Sequence, residues 1–159
     1  SSDVCSSDLG IGTEKGYDVL LACARDAARR DLNLQFTVIG HTPDDERLIE
    51  TGRVFVTGPY KEAHALPLIR AHGIEVAWQP SIWPETWCFT LGVAWRAGLC
   101  VAAFDLGAIA ERIRHTGRGW LFPLGLPPPA INSAFSRLRW PQETHTRVLN
   151  AYQRDMNHL

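Results

Sequence analysis

Short apolar runs alternate with amphipathic runs along most of this chain, and glycine or proline separates many of them. The apolar runs are typical of strands buried on both faces, and the amphipathic runs have apolar residues at helical spacing. Predicted strands cover residues 32–39, 53–57, 74–78, 99–104 and 120–122. Predicted helices cover residues 15–30, 61–71, 108–115, 130–138 and 143–152. A short helix is predicted to begin within residues 42–45, and another lies between residue 89 and Gly98.

This alternation predicts βαβ units, which form a mostly parallel sheet with helices on both faces. The expected fold class is therefore α/β, a Rossmann-like domain of three layers. Ligands of such sheets bind beyond the carboxyl ends of the strands. The loops that we expect to form a site are residues 10–15, 40–44, 58–61, 80–89 and 105–108, where glycine, proline and polar residues are found. Residues 124–129 are predicted to form a loop, since Pro127, Pro128 and Pro129 do not continue regular structure.

Residues 1–9 differ from the rest, because they have no hydrophobic period and are rich in serine and aspartate. They resemble one reading frame of a common DNA-sequencing adapter. We interpret them as an artefactual or disordered segment outside the fold and assign a single domain to residues 10–159. Under this interpretation the gene product began further upstream, and the chain is a piece of a larger protein.

The composition, with 159 residues, 45% hydrophobic residues and a formal net charge of -1, is that of an ordinary globular domain. The near-neutral charge gives no reason to expect nucleic acid or an anionic membrane as partner. No apolar run approaches the ~18 residues that a membrane span needs. Cys5, Cys23, Cys88 and Cys100 show no CxxC pair or metal-ligand spacing, so we interpret them as buried or idle thiols in a reducing compartment, the cytoplasm.

Residues 80–98 predict a strand end, a loop and a helix N-terminus, with Glu85 at the mouth of that helix. A helix N-terminus offers free backbone N–H groups and a positive dipole end to an anion. A carboxylate fixed there accepts hydrogen bonds from two sugar hydroxyls, or else it only complements the helix dipole, worth about 0.3–1 kcal/mol. The sequence by itself leaves both interpretations open.

Lys15 lies in a glycine-rich segment, residues 10–16, at the start of the first predicted helix. A lysine at that position pairs with a diphosphate in one interpretation and is a solvated surface charge in the other. The segment is not a Gly-x-Gly-x-x-Gly loop, and the chain has no Gly-x-x-x-x-Gly-Lys-Ser/Thr sequence. We therefore predict no NAD, ATP or other cofactor.

Several short pieces in a fixed order carry a resemblance to a known family. They are Glu14-Lys-Gly16, Phe36-Thr-Val-Ile-Gly40, Val56-Thr-Gly58, Pro80-Ser with Pro84-Glu85, Ala103-Phe-Asp105-x-Gly107, and Glu111. From residue 10 to about residue 123 the chain resembles the C-terminal, donor-binding half of a family 4 retaining glycosyltransferase with the GT-B fold. The resemblance implies a hexosyltransferase-type enzyme that binds a nucleotide-sugar donor and transfers the sugar, with retention of configuration, to an unknown glycan, lipid or protein acceptor.

The resemblance also implies roles for particular residues. Lys15 would hold the donor diphosphate, and Glu85 matches the first glutamate of the family's Glu-x7-Glu motif, which contacts the transferred sugar. The remaining donor-binding positions implied are the amides at the opening of the helix and two residues that line the pocket near the sugar: Trp87, Cys88, Phe89, Thr90, Gly107 and Ala108. No metal is implied, because the positive groups neutralise the diphosphate and the chain has no Asp-x-Asp sequence.

Two departures from the family pattern keep an alternative open. The second motif glutamate, which binds the ribose hydroxyls, is replaced by Val93, and this loss would cost about 1.5–3 kcal/mol of donor binding. The family's N-terminal, acceptor-binding domain is also absent from the sequence, so this fragment is expected to be inactive by itself. The alternative is a degenerate, non-catalytic Rossmann-like interaction module of a larger protein; a nucleotide-sugar epimerase would need further carboxylates and histidines in the cleft.

Overall fold

The computed structural model describes residues 2–7, 16–84 and 89–137, with the backbone alone for residues 2–7, 89 and 90. Strands and helices alternate through these residues, as the hydrophobic pattern predicts. The strands are β1 (Ser2–Ser7), β2 (Leu34–Ile39), β3 (Val54–Val56), β4 (Val76–Gln79), β5 (Cys100–Phe104) and β6 (Gly119–Phe122). The helices are α1 (Tyr17–Arg29), α2 (Asp45–Ile49), α3 (Ala65–Ala71, after a 3-10 turn at Glu62–His64), α4 (Phe89–Arg96), α5 (Gly107–Thr116) and α6 (Pro128–Arg137).

The six strands form one sheet in the order β3-β2-β1-β4-β5-β6, and every pair of neighbours is parallel. β1 is central, with Val4 beside Phe36 of β2 on one side and beside Val76 of β4 on the other. The predicted α/β, Rossmann-like fold with a parallel sheet is confirmed. The strand order changes direction between β1 and β4, which makes this pair the topological switch point of the sheet.

Helices cover both faces of the sheet, and each face has its own apolar core. The first core packs α1 and α6 on the sheet, and Trp78 is fully buried there. The centroid of the Trp78 ring lies 5.9 Å from that of Phe36 and 5.1 Å from that of Phe135. The second core packs α3, α4 and α5 on the opposite face. Side chains of β5 alternate between the two cores, which is the period of a strand buried on both sides.

Two segments differ from their predictions, and the first is the proline run. Residues 127–129 were predicted to be loop, but α6 begins at Pro128. Proline is favoured at the first helical positions, because the backbone N–H that it lacks has no intrahelical acceptor there. The first turn closes through Pro127, whose carbonyl accepts from the amides of Ala130 and Ile131 at 2.9 and 3.1 Å. The second predicted closing helix, residues 143–152, lies outside the described residues.

The second difference concerns the start of the chain, which the sequence analysis set apart from the fold. The backbone of Ser2–Ser7 forms β1 and pairs with both β2 and β4. Strand pairing uses backbone groups that every residue except proline carries, so a segment with little apolar character pairs where two neighbours flank it. The resemblance of residues 1–9 to a sequencing adapter stays a prediction, as does the single domain at residues 10–159.

Candidate functional site

The switch point between β1 and β4 is where a sheet of this order leaves a crevice. The chain leaves β1 through α1 toward β2, and it leaves β4 through α4 toward β5, so the loops after the two strands diverge. Such a crevice at the carboxyl ends of the strands is the usual ligand site of open α/β sheets. Both candidate catalytic residues, Lys15 and Glu85, belong to these two loops in the sequence.

The loop that ends at α1 and the loop that follows β4 contact each other through Gly16 and Pro80. Gly16 precedes α1 with a left-handed backbone, φ 90°. A Cβ atom built there would lie 2.0 Å from the carbonyl oxygen of Pro80 and 2.8 Å from the Pro80 Cβ. Only glycine fits both this φ and this close backbone approach. Because Gly16 follows Lys15 directly, the end of the loop that contains Lys15 contacts the start of the loop that contains Glu85.

The first residues of the loop after β4, residues 80–84, contain a turn. Pro80 and Ser81 are buried, whereas Ile82, Trp83 and Pro84 are exposed. The Ser81 hydroxyl donates to the Trp83 carbonyl at 3.1 Å and accepts from the Trp83 amide at 3.4 Å. The Trp83 indole, carried by this local turn, is 61% exposed.

The N-terminus of α5 lies at the carboxyl end of β5, the strand next to β4. Its N-cap residue, Leu106, makes no side-chain hydrogen bond to the first turn, so amides of that turn are not capped by it. Gly107 is exposed with φ 66°, and Ala108 is half-buried. The carboxylate of Asp105 forms an ion pair with Arg114, which lies nine positions later, near the end of α5. This helix end presents backbone donors and two small residues beside the switch-point crevice.

Hydrogen bonds also connect the loops on the other side of the crevice. The Tyr17 hydroxyl donates to the carbonyl of Asp44 at 2.8 Å, which ties α1 to the loop after β2. The amide of Gly40 donates to Thr57 Oγ1 at 3.0 Å, which ties that loop to the end of β3. Burial, together with the negative charge of Asp44, raises the pKa of Tyr17, so its hydroxyl keeps the proton that it donates. Hydrogen bonds therefore connect the start of α1, the loop after β2 and the end of β3 at the carboxyl edge of the sheet.

The described thiols contribute no nucleophile to this edge. Cys23 and Cys100 are free and buried, as predicted. Burial raises the pKa of both thiols, to about 12 for Cys100, so both are protonated at neutral pH. Within residues 16–84 and 89–137, no cluster of three His, Cys, Asp or Glu residues is arranged to hold a metal ion. Nor does any helix of those ranges have the length and apolar character to cross a membrane.

The structure describes some of the predicted site residues and not others. Lys15, Glu85, Trp87 and Cys88 lie outside the described residues. The other predicted residues open two helices that point their first turns to the carboxyl edge: Phe89 and Thr90 in α4, and Gly107 and Ala108 in α5. None of the roles assigned to these eight residues is tested by the structure, and they stay predictions.

Val93, at the position of the expected second motif glutamate, is 1% exposed and belongs to the core that packs α3, α4 and α5. It presents no polar atom to a ribose. The contact between Gly16 and Pro80 and the turn at Ser81 were not predicted. The signals for them in the sequence were a glycine before the first helix and a proline directly after a strand.

The comparison with protein families gives one match. The model described as "Glycosyl transferases group 1" matches residues 4–139, which is most of the chain. A comparison with curated proteins finds no match.

Solved structures of similar fold are numerous, and three illustrate them. HepE from Anabaena, in complex with UDP, is 20% identical with a TM-score of 0.63, and the match covers 97% of this chain and 44% of that one. The C-terminal domain of LpcC, a glycosyl transferase group 1 family protein from Francisella tularensis, is 15% identical with a TM-score of 0.67, covering 98% and 85%. TarM from S. aureus, in a complex that contains UDP, is 14% identical with a TM-score of 0.69, covering 99% and 32%.

At these identities the likeness shows the fold, which is that of the C-terminal, Rossmann-like half of a GT-B protein. The chain spans less than half the length of the HepE and TarM chains.

Proposed function

Because this chain belongs to the glycosyl transferases group 1 family, we propose that it binds a nucleoside-diphosphate sugar in the crevice between β1 and β4. It thereby takes part in transfer of that sugar, a hexose, to an acceptor with retention of configuration, as in family 4. The observation that carries this proposal is the contact between Gly16 and Pro80. Gly16 follows Lys15 directly and Pro80 precedes Glu85 by five positions, so the loop that contains Lys15 ends, and the loop that contains Glu85 begins, at one contact at the switch point.

In the proposed mechanism, positive groups stabilise the leaving diphosphate, where negative charge develops during transfer. Lys15 contributes its ammonium group, and the first turn of α4 contributes backbone amides and the positive end of its dipole. The uncapped first turn of α5 supplies further backbone donors, and Gly107 leaves room for the sugar. These groups act without a metal ion.

Glu85 orients the transferred sugar in this proposal. An ionised carboxylate is an acceptor with two oxygens, so it binds two adjacent sugar hydroxyls at once. The amides of Trp87, Cys88, Phe89 and Thr90, at the opening of α4, would complete the cradle for sugar and phosphate. HepE is known in complex with UDP, which makes a UDP-sugar the first donor to test.

We further propose that the acceptor is bound by a separate GT-B domain and that this chain alone transfers no sugar. The chain spans 44% of HepE and 32% of TarM, which is consistent with one half of a two-domain enzyme. Two free, buried thiols fit a reducing compartment, and we propose the cytoplasm.

A second candidate is favoured by Val93. A buried valine where the ribose-binding glutamate is expected removes a charged hydrogen-bond partner, which costs about 1.5–3 kcal/mol of binding. A domain with this loss could have become a non-catalytic interaction module of a larger protein. Lys15→Ala and Glu85→Ala in the larger protein discriminate between the two candidates, because transfer that is unchanged in both variants supports the interaction module.

The donor site is tested by calorimetric titration of the chain with UDP, GDP, UDP-glucose and GDP-mannose. We expect one of the two nucleotides to bind and Lys15→Ala to weaken its affinity about tenfold to a hundredfold, the effect of losing a charged hydrogen bond. Lys61→Ala is the matched control, since Lys61 is an exposed lysine that follows β3 rather than β1. A folded chain that binds neither nucleotide at millimolar concentration would contradict the proposal.

A further inference from the structure

Trp83 differs from the other tryptophans that the structure describes. Trp78 and Trp120 are 0% and 1% exposed, and Trp95 is half-buried. Trp83 is 61% exposed, and its neighbour Ile82 is 40% exposed. A large aromatic side chain left in water gives up the free energy of burial, so we asked what Trp83 contacts when a ligand is bound.

The backbone that carries this indole is held from several sides. Pro80, three positions earlier, is buried against Gly16. Ser81 is 9% exposed and bonds both the carbonyl and the amide of Trp83. Pro84 then restricts the conformation of Trp83 from the other side. The indole is thus carried by a tight, hydrogen-bonded turn.

That turn stands at the carboxyl end of β4, on one side of the switch-point crevice. Resting on the proposed function, we propose that Trp83 is a stacking platform for a pyranose ring at the mouth of this crevice. A pyranose has a face of C–H groups, and the face of an indole is apolar with a negative quadrupole, so the two surfaces are complementary. A rigid aromatic group beside a polar site is also the usual composition of a small-ligand pocket.

The size and surroundings of the exposed pair favour a sugar over a larger partner. Among the side chains that the structure describes in this loop, Ile82 and Trp83 are the exposed apolar pair, whereas protein and membrane contacts use larger contiguous apolar surfaces. Phe55 offers a contrast within the same chain. It is 55% exposed on the edge strand β3, but its ring lies 5.3 Å from the ring of His72 and far along the sheet order from the switch point.

The ring that stacks on Trp83 belongs either to the donor or to the acceptor, and both share the same chemistry. Saturation-transfer difference NMR of the chain with the methyl glycosides of glucose, galactose, mannose and N-acetylglucosamine tests for it. We expect saturation to concentrate on the C–H protons of one ring face for at least one glycoside. Trp83→Ala should weaken the apparent affinity about threefold to tenfold, while Trp83→Phe and the control Phe55→Ala keep it within twofold.

Competition identifies the source of the ring. A methyl glycoside that UDP-glucose or GDP-mannose displaces, but UDP or GDP does not, occupies the position of the donor sugar. A glycoside that stays bound in the presence of either nucleotide sugar occupies the acceptor position. Both results support the stacking role of Trp83 when Trp83→Ala weakens binding of the same glycoside.

Titration with UDP and GDP separates this inference from the proposed function, because neither nucleotide carries a pyranose. If one of them binds the wild type and Trp83→Ala equally, and no glycoside gives a face-selective signal, the stacking role is overturned and the donor site stands. If a glycoside signal depends on Trp83 while neither nucleotide binds, the donor site fails instead. Trp83-dependent sedimentation with phosphatidylcholine–phosphatidylglycerol vesicles, without a glycoside signal, would also overturn the stacking role.

Discussion

The two helical layers of this domain are fastened by different chemistry. On one face, the side chain of Asp26 in α1 is only 3% exposed. Its carboxylate accepts hydrogen bonds from Arg30 Nη2 at 2.6 Å and from Asn132 Nδ2 of α6 at 2.9 Å. Asn132 Nδ2 also donates to the carbonyl of Cys23 at 2.8 Å, and Arg30 Nη2 reaches the carbonyl of Pro129 at 3.0 Å. Polar groups inside the layer therefore join α1 to α6.

On the other face, a half-buried indole replaces the buried charge. The guanidinium carbons of Arg112 and Arg118 each lie 5.3 Å from the Trp95 ring. Trp95 Nε1 donates to the carbonyl of Arg118 at 3.0 Å, and Arg118 Nη2 donates to the carbonyl of Trp95 at 2.8 Å. These groups join the end of α4 to α5 and to the segment before β6 at the surface.

The difference predicts where each layer is vulnerable. A buried charge has already lost its hydration, so removing one partner leaves the others uncompensated. A cation over a partly exposed ring keeps much of its water and contributes less. The layer of α1 and α6 should therefore respond strongly to single substitutions, and the layer of α4 and α5 should respond weakly.

The largest effect is expected for Asp26→Ala, which removes the carboxylate that accepts hydrogen bonds from Asn132 and Arg30. We expect the free energy of unfolding to fall by about 3 kcal/mol, measured by urea denaturation. Asp18→Ala is the matched control, because Asp18 is an exposed aspartate of the same helix, and its effect should stay within about 0.5 kcal/mol. Equal effects for the two variants would remove the proposed contrast between the layers.

Acid should selectively weaken the same layer. Burial raises the pKa of Asp26, but hydrogen bonds from Arg30 and Asn132 and the nearby arginine charges outweigh it, so the pKa is lowered overall. A carboxyl with a lowered folded pKa stabilises above its unfolded pKa of about 3.9 and loses that contribution as pH falls through the folded pKa. The difference in unfolding free energy between wild type and Asp26→Ala should therefore narrow below about pH 4. A constant difference down to pH 2 would contradict this assignment.

Trp95→Leu should have an intermediate effect on the opposite layer. It removes part of a half-buried ring, two cation–π contacts and one hydrogen bond, for which we expect a loss of about 1.5 kcal/mol. The measurement is again urea denaturation, at the same protein concentration as for Asp26→Ala. A loss larger than that of Asp26→Ala would reverse the ranking of the two layers.

The smallest effects should come from the arginines over that ring. Arg118→Met should cost about 1 kcal/mol, because it loses a cation–π contact and the hydrogen bond to the Trp95 carbonyl. Arg112→Met, at the same distance from the ring, should cost about 0.5 kcal/mol. Thermal unfolding at low and high salt is the sharper readout, since a salt-independent difference between Arg118→Met and wild type would exclude an electrostatic origin.

Periodicity predicted most of the elements, because burial on both faces leaves a plain signature. The run predicted at residues 99–104 is β5 to within one residue, and Ile109 and Ile113 of α5 lie in the core as their spacing predicts. The start of α6 was missed, since the same proline ends or begins a helix according to its position in the first turn. β1 was missed because its residues carry no apolar alternation, and its pairing depends on neighbours that are distant in sequence.

The candidate site was predicted in outline and not in its geometry. Sequence order placed Glu85 after the strand that is β4 and Lys15 at the start of the first helix, and the topology adds that β1 and β4 flank the switch point. The contact between Gly16 and Pro80 joins residues 64 positions apart, so no local pattern contains it. The exposure of Trp83 could not be predicted from the sequence either, since tryptophan is found both in cores and in ligand sites.

The central position of β1 makes the cohesion of the sheet depend on six residues. β2 and β4 do not pair with each other in the described sheet, and each is hydrogen-bonded to Ser2–Ser7 instead. If this strand were displaced, the pair β3-β2 and the three strands β4-β5-β6 would each expose an edge with unpaired backbone groups. Such edges pair with strands from other molecules. Affinity tags, protease sites or fluorophores introduced near Ser2–Ser7 would then promote self-association, and preparations of this protein should carry such additions elsewhere.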